Sequence, residues 1–121
     1  MIDRLSGRRA FAQLRADGHR RGRGPIRLVF RSELTERASF AFAIPRSVGN
    51  AVVRNRTKRR IKAVLHDLDH TTGGLSGGDY LVRITGSIDH WSYDTLRTTM
   101  AALVNPIPVA VSDRSIGEHA R

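Results

Sequence analysis

The sequence predicts an α+β domain, a two-layer α/β sandwich with helices packed on one small sheet in the order α-β-β-α-β-α. Three observations carry this. Residues 26–31 and 39–44 alternate apolar and other side chains with the two-residue period of a half-buried strand, and residues 79–85 form a third short apolar run. Residues 49–69 contain no internal Gly or Pro. At about 100° per residue, Val53, Ile61, Val64, Leu65 and Leu68 fall in one stripe roughly 120° wide, as a core-facing helix requires. A second stripe, Tyr93, Leu96, Met100 and Leu103, has the i, i+3/i+4 spacing of another helix. Short strands separated by amphipathic helices bury their apolar faces by layering helices on a sheet.

Taken in order, Ser6 is placed to cap a helix over residues 7–17 that ends at Gly18. Ala10, Phe11 and Leu14 share one face of it, with Arg8, Arg9 and Arg15 around them. Residues 19–25, His-Arg-Arg-Gly-Arg-Gly-Pro, read as a cationic loop, either a flexible connector or a close approach to phosphate. In the first strand Ile26, Leu28 and Phe30 share one face and Arg27, Val29 and Arg31 the other. Residues 32–37 are a polar turn. In the second strand Phe40, Phe42 and Ile44 face the core. Ser39, Ala41 and Ala43 leave a shallow trough on the opposite face, where another backbone can approach. Pro45 ends this strand, and Gly49-Asn50 starts the long helix. Residues 71–78 are a Gly-rich linker without the Gly-Lys-Ser/Thr ending of a phosphate-binding loop. Strands two and three, bridged by the long helix, would be parallel neighbours if they pair directly. Ser92 caps the last helix and Asn105-Pro106 stops it. Residues 1–108 thus form one domain, and residues 109–121 a small polar tail expected to be disordered.

The charge is unevenly spread. The 121 residues carry 21 Lys and Arg against 11 Asp and Glu, a net charge of +10, which suits a nucleic acid or an anionic membrane. No apolar run approaches the roughly 18 residues of a membrane span, and no signal-peptide core follows Met1. With 0 Cys there is no disulfide framework or thiolate metal site, consistent with a cytoplasmic protein. Six of the nine residues from Arg54 to Lys62 are Lys or Arg, and no Asp or Glu occurs between Arg37 and His66. Like charges at i,i+4, namely Arg54/Lys58, Arg56/Arg60 and Lys58/Lys62, repel. A helix that accepts this repulsion over two turns is suited to a polyanion.

Two other classes compete. His66 and His70 lie one helical turn apart with Asp67 and Asp69 between and after them, a spacing that could hold Zn²⁺ or Mn²⁺ in an independent nuclease. No third ligand is evident, and polar groups at a helix C-terminus also favour its dipole. A general or ribosomal RNA-binding module without processing activity fits the composition equally well. DNA binding lacks any helix-turn-helix or zinc-finger spacing. Phe40 and Phe42, alternating with alanines, read as core, and Trp91 and Tyr93 as packing beside the last helix.

The run Val48-Gly49-Asn50-Ala51-Val52-Val53-Arg54-Asn55-Arg56-Thr57-Lys58-Arg59-Arg60-Ile61-Lys62 resembles the signature block of the protein subunit of bacterial ribonuclease P. The resemblance extends from about Arg4 to Leu103. It implies the fold seen in the second domain of the fifth small-subunit ribosomal protein, with a left-handed crossover through the basic helix. It implies an endoribonuclease holoenzyme whose catalytic RNA, not this chain, holds Mg²⁺ and the scissile phosphate and removes the 5′ leader of precursor tRNA. The partners it implies are that RNA and precursor tRNA, with no membrane and no obligate protein partner. No catalytic residue and no protein-held metal is expected. Arg46, Asn50, Arg54, Asn55, Arg56, Lys58, Arg59, Arg60 and Lys62 are the implied contacts to the catalytic RNA. Phe11, Arg15, Arg27, Val29, Phe30, Ala41 and Ala43 are the implied leader cleft, with the first-strand position falling on either Val29 or Phe30. Ser47 stands where the family commonly has a second basic residue, Arg15 where some members have a second aromatic, and Pro45 is atypical.

Overall fold

The computed structural model describes residues 2–32, 37–71 and 75–104. Its elements are β1 (Ile2–Arg4), α1 (Arg8–Asp17), β2 (His19–Arg23), β3 (Ile26–Ser32), β4 (Ala38–Ala43), a short 3-10 turn (Arg46–Val48), α2 (Ala51–Thr71), β5 (Gly78–Ile84) and α3 (Tyr93–Val104). The expected α-β-β-α-β-α order is present as α1, β3, β4, α2, β5 and α3. Two strands are added to it, in a single sheet of order β1-β4-β5-β3-β2. The tail at 109–121 lies outside the described residues, as do positions within the expected turn at 32–37 and the linker at 71–78.

The expected cationic loop at 19–25 is a strand and a tight turn. Arg21 pairs antiparallel with Leu28, and Arg23 with Ile26. The two-residue turn between them sets Gly24 at φ 56°, a left-handed conformation that glycine adopts without a Cβ penalty. No apolar side chain marks this strand in the sequence. Its hydrogen bonds come from the backbone of β3, so alternation could not reveal it. The other addition, β1, pairs parallel with β4, setting Arg4 opposite Phe40.

β4 and β5 run parallel, with Phe40 opposite Tyr80, and α2 is the crossover between them. The sheet face carrying Ile26, Leu28, Phe30, Phe40, Tyr80, Val82 and Ile84 is buried against Ile61, Val64, Leu65 and Leu68 of α2 and against Leu96, Met100 and Leu103 of α3. At its centre the rings of Phe40 and Tyr80 stack with centroids 4.5 Å apart. On the opposite face Val29 is buried with Leu5 and Leu14, and Ala10, Phe11, Ala41 and Leu81 pack around them. So α1 adds a partial third layer to the expected two, because Val29 and Leu81 make the middle of that face apolar.

Local signals explain most boundaries. The Asn50 Oδ1 accepts the Val53 N–H at 3.0 Å, and the Ser92 Oγ accepts the Thr95 N–H at 3.1 Å, so both expected caps form. Ser6 does not cap α1. That position is Gly7, which makes no side-chain cap bond. Gly78 opens β5 at φ 131°, where a Cβ would lie 2.2 Å from the Arg31 carbonyl oxygen.

Candidate nucleic-acid interface

The cations of α2 divide into three sectors, set by the roughly 100° turn per residue and by which face is buried. Thr57, Ile61, Val64, Leu65 and Leu68 are buried and define the core side. The Thr57 hydroxyl is satisfied by donating to the Val53 carbonyl at 2.9 Å. Arg54 borders that side, and its Nε donates to the Gly49 carbonyl at 3.1 Å, tying the helix to the turn before it.

Arg56, Arg60 and Asp67 fall on one flank, toward α3 and the loop before it. Arg56 donates from Nε and Nη2 to the two carboxylate oxygens of Asp89, each at 2.8 Å. This hydrogen-bonded pairing raises the Arg56 pKa and holds the Asp89 carboxyl below the usual carboxylate range. Arg60 donates to the carbonyls of Ile88 and Trp91. Asp67 accepts from Arg97 Nε at 2.5 Å. Three implied RNA contacts, Arg54, Arg56 and Arg60, are therefore also internal ties.

Lys58 and Lys62 fall on the other flank, and Asn55, Arg59 and His66 along the outer ridge; all five are exposed. Among the described residues Arg59 and Lys62 have no ion pair or hydrogen bond. Lys58 Nζ lies 5.9 Å from the centre of the Phe42 ring. Between this flank and α1 runs a groove of about 570 Å³, lined by Arg4, Leu5, Ser6, Gly7 and Phe11, by Phe40, Ala41 and Phe42 of β4, and by Lys58, Lys62, Leu65 and His66. It joins Phe11 and Ala41 of the implied leader cleft to Lys58 and Lys62 of the implied catalytic-RNA surface. Phosphate charge and a base face can thus be met within one concavity.

The other implied cleft residues are distributed by strand alternation. Val29 is buried beneath α1, and Ala41 packs beside it on the same face, half-buried at the groove. Phe30 points to the opposite side, buried beside Tyr80 in the main core, so of these two positions Val29 is the one on the α1 face. Arg27 and Ala43 share a row with Gly22 and Arg83 across the sheet. Arg27 folds back, donating to the carbonyls of Gly24 and Ile26 at 2.5 and 3.2 Å. Arg15 is exposed on α1, one turn beyond Phe11, and Arg46 is exposed on the 3-10 turn. Asn50 is exposed, its side chain engaged as the helix cap.

Sequence reasoning missed Arg4 and His66 as groove residues. It also missed Arg20 and Arg83 on the same sheet face as Arg27, and Asp89 as the partner of Arg56. Arg83 left a signal, a lone charge between Val82 and Ile84 in an apolar run. Arg21, read as part of a cationic loop, instead donates to the Leu103 carbonyl at 3.0 Å near the end of α3 and lies over the Phe30 ring. The His70 Nδ1 donates to the His66 carbonyl at 2.7 Å, so that ring is turned along the helix. Among the described residues no group of 3 or more His, Cys, Asp or Glu comes together, and no helix is long and apolar enough to cross a membrane.

Comparison with known proteins follows the same lines. Residues 2–107 match the family Ribonuclease P. Over 65 residues the chain is 38% identical to the ribonuclease P protein component of Clavibacter michiganensis subsp. michiganensis, covering 54% of this chain and 56% of that protein. Over 68 residues it is 29% identical to the same component of Mycoplasma mycoides subsp. mycoides, covering 56% and 62% respectively. The matches thus span somewhat over half the length of these relatives. In structure it resembles the ribonuclease P protein from Thermotoga maritima with a TM-score of 0.74 at 21% identity, over 88% of this chain and 98% of that one. The Staphylococcus aureus ribonuclease P protein gives a TM-score of 0.69 at 15% identity, over 82% and 89%. At such identities the structural likeness concerns the fold, whereas the family match runs through the basic helix and both flanks of the groove. The chain belongs to the ribonuclease P family.

Proposed function

We propose that this chain is the protein component of a ribonuclease P holoenzyme, binding the catalytic RNA and the 5′ leader of precursor tRNA in the cytoplasm and assisting removal of that leader. The observation that carries the reading is the groove where Phe11 of α1 faces Lys58 and Lys62 of α2. A protein that serves leaders of many sequences gains most from phosphate charge and base faces, which every leader offers. Lys58, Arg59 and Lys62 meet phosphates of the folded RNA. Phe11, with Arg4 in the same groove and with Arg15 and Arg83 on the α1 side of the sheet, takes single-stranded leader. Mg²⁺ belongs to the RNA partner in this reading. It supplies the charge stabilisation of phosphodiester hydrolysis there, and no step runs through a side chain of this protein.

The test is precursor-tRNA cleavage by a bacterial ribonuclease P RNA at low Mg²⁺, with and without this protein. Stimulated cleavage at the mature 5′ end, with none by protein alone, is expected. Tight salt-sensitive RNA binding without stimulation would replace the proposal with a general RNA-binding module. Cleavage by protein alone, lost in His66→Ala with His70→Ala, would replace it with an independent nuclease.

A further inference from the structure

The segment between β5 and α3 is fastened to the basic helix by two arginines one turn apart, and the two fastenings differ in kind. Arg60 is half-buried and bonds to backbone carbonyls, those of Ile88 and Trp91. Ile88 itself is fully buried in the main core. These contacts fix the segment whatever its side chains carry. The Arg56–Asp89 pair lies at the surface, with side chains 41% and 37% exposed. An exposed pair of this type contributes little to folding, because both partners are well hydrated when apart. Its geometry is nevertheless that of phosphate recognition, two parallel N–H donors of a planar fork meeting two oxygens of one anion. Arg60 adds positive charge beside the same carboxylate.

We propose that Asp89 stands in for an RNA phosphate. When RNA docks, Arg56 releases the Asp89 carboxylate and takes a phosphate through the same two donors, so that Asp89 competes with RNA and moderates its affinity. The inference rests on the proposed RNA-binding role and adds a specific position and a competitor to it. One charge-assisted pair replaces another, with no bond made or broken covalently. The vacated carboxylate then lies near the bound phosphate and repels it, so Asp89 acts against binding in both states.

The test compares wild type, Asp89→Asn, Arg56→Gln and the double variant. Each is titrated against a bacterial ribonuclease P RNA and against polyuridine from 50 to 200 mM KCl. Asp89→Asn should bind ribonuclease P RNA severalfold more tightly, with a salt slope steeper by up to about one phosphate contact, ~0.7–0.9 in log K per log salt. The gain should vanish in the double variant. Unchanged or weaker binding by Asp89→Asn, with its thermal midpoint intact, would overturn the proposal and leave Asp89 as a simple staple. Should that variant lose stability, Arg56→Gln alone decides: a flattened salt slope upholds the exchange and an unaltered slope sinks it. If wild type prefers neither RNA, the holoenzyme reading fails. The effect of Asp89→Asn on polyuridine then still decides the exchange, because Arg56 meets a phosphate in either RNA.

Discussion

Charge on the basic helix is of two kinds, and mutation should separate them. Lys58, Arg59 and Lys62 are exposed, and apart from the contact of Lys58 with Phe42 no described protein group competes for them. Arg60 is tied to two backbone carbonyls. Each phosphate contact contributes roughly 0.7–0.9 to the slope of log K against log salt. A fourfold rise in salt, from 50 to 200 mM, therefore costs roughly half a decade of affinity per contact, and three contacts about 20–40-fold. The triple change Lys58→Gln, Arg59→Gln, Lys62→Gln should flatten the slope by about two to three units, with little change in thermal midpoint, because none of the three is buried. Arg60→Gln should do the reverse, lowering the midpoint by loosening the segment before α3 while the slope stays within error. Filter binding or fluorescence anisotropy against a ribonuclease P RNA measures the first quantity, and thermal unfolding the second. If Arg60→Gln flattens the slope as much as Arg59→Gln alone, the division of the helix into docking and fastening sectors is wrong.

Three further outcomes follow from packing and burial. Phe11→Ala should weaken precursor-tRNA affinity while leaving mature-tRNA affinity nearly unaltered, and equal losses for both would remove Phe11 from the leader path. Gly78→Ala should lower stability by about 1–3 kcal/mol in urea unfolding, since φ 131° is strained for any Cβ and the obstructing atom is a backbone carbonyl; a neutral result would show that this corner of β5 can shift. Burial pushes the Tyr80 phenol well above its ordinary value. Above about pH 10 the unfolded chain loses that proton and the folded chain keeps it, so stability is present at lower pH and falls by up to about 1.4 kcal/mol per pH unit as pH rises. Tyr80→Phe should abolish this part of the alkaline slope, and an unchanged slope would assign it elsewhere.

The framework was legible where side chains carry the signal. Alternation in β3 and β4 placed Ile26, Leu28, Phe30 and Phe40 in the core, where they are buried. The stripe Ile61, Val64, Leu65, Leu68 gave the buried face of α2, and Asn50 and Ser92 gave two helix starts. What escaped was set by backbone pairing or by long-range partners. β2 has no apolar residue, and β1 is three residues long. The third layer follows from how α1 is carried onto the second sheet face, which no local period encodes. For the interface, sequence located the cations but could not sort them, since Arg56 and its carboxylate are 33 positions apart.

That sorting changes the meaning of the repulsion along the helix. Arg56 and Arg60 are like charges one turn apart, yet both point at acceptors supplied by the segment before α3, the Asp89 carboxylate and two carbonyl dipoles. Their mutual repulsion is answered within the protein. Lys58 and Lys62 are also one turn apart, and they face a groove whose other ionisable lining residues are Arg4 and His66. Among the described residues nothing acidic lines that groove, so an incoming anion would relieve the field there. A helix whose cations were merely a solvated surface would have no reason to satisfy one flank internally and leave the other facing a concavity. The asymmetry suits the proposed docking role: one flank is held by its own domain, through the backbone ties of Arg60 and the exchangeable Arg56–Asp89 pair, and the other faces the groove.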